Sequence, residues 1–184
     1  MGRQERLFVV AIVSFVMGLS LLAHPAQAGE DEPAYSEEMQ QEMMVWMKLA
    51  EPGQQHGHLA KYAGSWKGEV FMWMAPGMEP MVESSTVEAK MILGGRYLEF
   101  DHKGSFGGMP FEGRAIEGYS HLDKRYESVW MDNFGTLILF FTGSASDDGS
   151  RREMTTSFSD PIKGGTFSYR TVFEWQDDDH FSYT

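Results

Sequence analysis

The chain has 184 residues, a formal net charge of −12 and no cysteine. Without cysteine there are no disulfides, thiolate nucleophiles or Cys-ligated metals. An acidic chain with no Lys/Arg cluster excludes nucleic acid as a partner and disfavours anionic lipid head groups.

Residues 1–28 have the three parts of a secretory signal peptide. Arg3 and Arg6 are the positive start, Leu7 to Leu22 is the apolar run, and Ala26-Gln27-Ala28 is an A-x-A cleavage site. The apolar run falls short of the ~18–20 residues that span a bilayer. The expectation is cleavage after Ala28, a periplasmic or secreted product, and no stable membrane span afterwards. Residues 29–45 then form an acidic leader and the start of a helix. Ser36 is a helix N-cap, with Glu37 and Glu38 in the first turn where the dipole favours anions. Met39, Met43, Trp46, Met47 and Ala50 recur at helical spacing. Glu51-Pro52-Gly53 stops this helix, and a second short one, Gln54 to Tyr62, ends at Gly64.

After Trp66 the helical period gives way to alternation. The strands read Trp66–Met74, Ser84–Leu93, Arg96–Lys103, Phe111–Tyr119, Arg125–Asp132, Thr136–Ser144, Arg152–Phe158 and Thr166–Trp175, with a ninth opening at His180. Gly94-Gly95, Asp148-Gly149 and Gly164-Gly165 are hairpin signals. Gly104 to Pro110 reads as a mobile loop at the barrel mouth. Eight or nine short strands joined by tight turns predict an up-and-down meander that closes on itself. The fold class is therefore mainly β: an antiparallel up-and-down lipocalin-like barrel over residues 46–184, preceded by one or two short α-helices. The last strand is only five residues long, so the closing strand reads as short or missing and the C-terminus as truncated.

No catalytic residue stands out. There is no G-x-S-x-G elbow and no H-E-x-x-H pair, and His56-x-His58 points its rings to different helix faces. No metal or other cofactor is expected. His56 reads as a helix-end hydrogen-bonding residue. The predicted polar groups of the cavity are Arg96, His102, Trp130 and Asp132, with Phe100 and Tyr169 as lining. Phe71, Met72, Trp73, Met91 and Phe140 belong to the same lining pool. Arg96 is expected to be buried and paired with a carboxylate such as Asp132. Trp66 is expected to plug the barrel base with its indole N–H bonded, and Arg170 to pack over it.

The run Trp46-Met47-Lys48-Leu49, Ala63-Gly64-Ser65-Trp66, Gly94-Gly95-Arg96, Gly108-Met109-Pro110-Phe111-Glu112-Gly113 and Trp130-Met131-Asp132-Asn133 resembles the bacterial domain-of-unknown-function 1579 family. The resemblance covers Trp46 to the C-terminus and implies a calycin-like barrel. It brings no activity with it. Where that family commonly has Gly-Tyr-Asp, this chain has Gly118-Tyr119-Ser120.

Three functions follow from these readings. The first is binding of a small apolar or amphipathic molecule inside the barrel. The second is a haem- or metal-using enzyme built on His102 or His121. The third is an interaction domain with a side-chain-filled barrel.

Overall fold

The computed structural model describes residues 35–184. The predicted leader, and the acidic stretch up to residue 34, lie outside the described residues. Residues Glu37–Thr184 form one compact unit.

Two helices come first, α1 (Glu37–Leu49) and α2 (Gln54–Ala60), bent apart at Pro52-Gly53. Nine strands follow: β1 Gly64–Met72, β2 Met81–Ile92, β3 Tyr97–Phe106, β4 Met109–Ser120, β5 Arg125–Asp132, β6 Leu139–Ala145, β7 Arg151–Ser159, β8 Thr166–Asp177 and β9 His180–Tyr183. Each pairs antiparallel with the next, in sheet order β1 to β9. The fold is a curled half-barrel. No ladder joins β9 to β1 among the described residues. The predicted closure therefore fails as backbone pairing and is made instead by side chains. Trp66 of β1 meets Phe181 of β9 at 4.8 Å and Trp175 of β8 at 6.0 Å between ring centroids, both edge-on.

Alternation sets the inner face, because successive side chains of a strand point opposite ways. The registers Val87↔His102↔Gly113↔Asp132 and Ala89↔Phe100↔Ala115↔Trp130 run straight across β2 to β5. The buried core takes Val87, Ala89, Phe100 and Ala115 from these rows, Leu98, Tyr126, Phe141 and Met154 from the same face, and Leu59 and Tyr62 from the helical end. Among the predicted lining, Met72, Met91, Phe100, Trp130 and Tyr169 share the inward face. Phe71 and Phe140 fall on the outward one, paired with Val82 and Val129.

Alternate turns of a meander gather at the same end. The turns β2–β3, β4–β5, β6–β7 and β8–β9 lie at the end carrying α2, here called the base. The turns β1–β2, β3–β4, β5–β6 and β7–β8 form the opposite end, the mouth. At the base Tyr62 is completely buried between Phe173, Trp175 and Phe181, at 5.1–5.9 Å. Tyr62, more than Trp66, is the plug. Trp66 is partly buried, and its Nε1–H donates to the Tyr62 carbonyl at 2.8 Å. Arg170 does not cover it: Arg170 lies on the outer surface, 3.3 Å from Glu153.

Gly104–Pro110 is not a loose loop. Strands β3 and β4 continue through it, with Ser105 opposite Pro110, and turn on Gly107 and Gly108 at φ 57° and 78°. Two successive residues at positive φ make the tight hairpin turn that suits strand twist, and glycine adopts it without steric cost.

Candidate functional site

The mouth half of the inner face carries the candidate site. On β3, β4 and β5 the structure brings together four predicted residues: Phe100, His102, Trp130 and Asp132. The His102 ring meets Trp130 edge-on at 5.1 Å and Phe100 at 5.9 Å. Phe111 stacks on Trp130 at 6.2 Å, 17° from parallel. Gly113 makes this possible. A Cβ there would lie 2.5 Å from the Trp130 ring, so the indole lies in the space a side chain would fill. Trp130 Nε1–H donates to Asp132 Oδ2 at 2.8 Å, and Asp132 Oδ1 accepts from the Phe134 backbone N–H at 2.9 Å. Asp132 is thereby committed to fixing the indole and the start of the β5–β6 turn.

Burial pushes the His102 imidazole down to about 4, slightly offset by Asp101. It is neutral at ordinary pH, so one ring nitrogen donates and the other accepts. Among the described residues no group of three or more His, Asp and Glu side chains could hold a metal ion.

Tyr169 lies across the cup on β8, half-exposed beside Phe158 and Phe167, at 6.4 and 5.5 Å. Between them and β6 the wall is split. Strands β6 and β7 pair only from Thr142↔Thr155 to Ala145↔Arg152. Toward the mouth they part around a cleft of about 620 Å³, lined on the β6 side by Ile138 and Leu139 and on the β7–β8 side by Phe158 and Tyr169.

Arg96 is not in this site. It sits at the base, half-buried, at the far end of the cup from Asp132. Its Nε–H donates to the Ala50 carbonyl at 2.9 Å and an Nη1–H to the Leu93 carbonyl at 3.2 Å. It ties the end of α1 to the β2–β3 turn. The expectation that a buried Arg96 needs a carboxylate fails because the guanidinium is only half-buried and two main-chain carbonyls accept from it. His121 Nε2 bonds the Glu51 carbonyl beside it at 3.1 Å, and His56 Nδ1 accepts from the Gly53 N–H at 2.9 Å. His56 is the helix-end residue the sequence implies.

The buried arginine is another one. Arg152 Nη2 lies 2.7 Å from Glu117 Oε2, and both side chains are at most 3% exposed. The guanidinium lies over Phe173, Tyr62 and Tyr126 at 4.4, 5.0 and 5.5 Å from the ring centroids. Burial pushes the Glu117 carboxyl above its ordinary range, partly offset by Arg152. Burial likewise pushes the Tyr126 hydroxyl up to about 12. This pair forms a polar floor under the cup. Its sequence signal was a lone Glu117 on the otherwise uncharged face of Phe111, Gly113, Ala115 and Tyr119.

No curated protein matches the chain. A family model described as a protein of unknown function, DUF1579, matches residues 51–184, from the helix bend through every strand of the half-barrel. The chain belongs to the DUF1579 family.

Proposed function

We propose that this chain is an exported binding protein that takes a small apolar or amphipathic molecule into the mouth half of the cup. One observation carries the reading. The base half of the inner face is filled and closed by Leu59 and Tyr62, whereas inward-facing apolar side chains of the mouth half stay open to solvent. Val70, Met81 and Tyr169 are 40%, 37% and 50% exposed. A concave apolar surface with a few fixed polar groups is the usual make-up of a small-molecule site. Here those groups are His102, neutral and able to donate or accept one hydrogen bond, and Asp132, which holds the Trp130 ring in place. The ligand's apolar body packs on Phe111, Trp130 and Tyr169, above the buried Phe100. Export rests on the signal-like residues 1–28.

The test is a titration with anilinonaphthalene sulfonate, displaced by dodecanol. Saturable binding, displaced by dodecanol and weakened about tenfold or more in Trp130→Ala, is expected from the loss of one large apolar contact. Dye binding that does not saturate, or that Trp130→Ala leaves unchanged, would remove the site. N-terminal sequencing of exported protein checks the compartment. It should begin at Gly29, and an intact Met1 in a membrane fraction would contradict export.

A further inference from the structure

The two ends of the half-barrel differ in chemistry. The base turns carry Arg96, then Asp123 and Lys124, Asp147 and Asp148, and Asp178 and Asp179. The mouth turns carry little charge of their own, although the Glu83 carboxylate of β2 sits at the β3–β4 turn and accepts from the Gly108 N–H at 3.3 Å. Trp73–Pro80 holds only Glu79, while Gly107–Gly108 and Asn133–Ile138 hold none. In Asp160–Gly165, Asp160 and Lys163 cancel. Large apolar side chains project from these same turns: Trp73, Met74, Met78, Leu137, Ile138 and Ile162 are all exposed, Ile162 to 89%. The β7–β8 tip is ordered to present Ile162, because Asp160 Oδ1 accepts the backbone N–H groups of Ile162 and Lys163 at 2.8 and 3.0 Å.

We propose that the mouth seats on the surface of a lipid bilayer with neutral head groups, inserting the turn tips at Trp73-Met74 and Ile162. Three features select this occupant. The tips belong to separate hairpins and ring an open cup. A deformable apolar medium fills such a ring, whereas a rigid protein face would leave the pit empty. Trp73 at a tip has the amphipathic ring favoured at a membrane interface. The charge distribution fits neutral lipid: the tips at Trp73-Met74 and Ile162, uncharged or balanced in charge, meet the bilayer and the acidic base stays in water, while a chain of net charge −12 is repelled by anionic lipid. Seating does not depend on ligand binding, since the tips lie outside the cup.

The chain has no cysteine, so one thiol label can be placed at will. An environment-sensitive fluorophore is attached to the full chain at Ala75→Cys, in the mouth, or at Asp147→Cys, at the base. Each is mixed with phosphatidylcholine vesicles carrying a lipid-borne quencher. The comparison of the two labels reports which end meets the bilayer, whatever else in the chain binds lipid. The expected result is a blue shift and quenching at position 75 and none at 147. The signal at 75 should persist in 0.5 M salt, fall on adding phosphatidylglycerol, and drop about tenfold or more in Trp73→Glu with Ile162→Glu. Quenching at both positions or at 147 alone, no response at 75, or a response at 75 that the double variant leaves intact would overturn the proposal. So would a blue shift at 75 that grows with protein concentration in the absence of vesicles, which would mean that a second copy covers the mouth.

Discussion

At the scale of single residues, the interior is set by two groups with opposite electrostatic histories. His102 is a neutral imidazole in an aromatic setting. Unfolding returns it to its ordinary value of 6.5, so between about pH 6.5 and 4 the unfolded chain binds a proton that the folded chain excludes. Stability then rises with pH across that window. The contribution is whole above 6.5 and is lost as pH falls toward 4, by about 3 kcal/mol at most. Urea unfolding of the parent and of His102→Leu at pH 7.5 and 4.5 checks this. The parent should lose more stability than the variant, and equal losses would mean that His102 is not buried as described. The Glu117–Arg152 pair is the converse case, a buried charge held by its partner. Arg152→Met leaves Glu117 uncompensated and should cost about 3–5 kcal/mol. Adding Glu117→Leu should recover most of that loss, because two apolar groups leave no orphaned charge. A double variant no more stable than Arg152→Met would show that the two side chains act independently.

At the scale of elements, alternation and turn residues make most of the sheet legible in the sequence. Val87, Ala89 and Met91 share a face in the sequence pattern and in the structure, as do Leu98, Phe100 and His102. The element ends were less legible. Gly104–Pro110 reads as loop because glycines and a proline break the pattern, yet strand pairing runs through to a two-residue turn. Local pattern also cannot show which turns approach which helix. Hence Arg96 looked like a cavity group, while the fold uses it as a strut to Ala50. Arg152 went unnoticed because the glutamate that pairs with it is 35 residues away. At the base, Trp66 joins α2 to the sheet through the Tyr62 carbonyl and the rings of Trp175 and Phe181. Trp66→Ala should cost about 3 kcal/mol or more through lost packing. Trp66→Phe, which gives up chiefly the indole hydrogen bond, should cost about 1 kcal/mol. Denaturant midpoints separate the two, and an unchanged midpoint for Trp66→Ala would contradict its place in the base closure.

At the scale of the whole molecule, a sheet of nine strands curls far enough for aromatic side chains to bridge its first and last strands at the base. The helical end is capped by α2 and Tyr62, the opposite end is open, and the charge of the turns follows the same polarity. Among the described residues no helix is long and apolar enough to cross a membrane. The sequence named Phe100, His102, Trp130 and Asp132 as cavity residues, and their side chains share the inner face of β3 and β5. It could not show that the cup is filled at one end and open at the other, because that depends on where α2 docks. The central claim is that this open half holds an apolar ligand beside Trp130. Quenching of tryptophan fluorescence by a terminally brominated dodecanol tests it most directly. Bromine quenches at short range, so parent and variants all carry Trp73→Phe, which removes the tryptophan at the mouth tip; Trp130 then lies in the cup while Trp66 lies at the base. Saturable quenching in the parent, largely abolished in Trp130→Phe and retained in Trp66→Phe, is the expected result. Quenching that does not saturate, or that survives in Trp130→Phe, would contradict the claim.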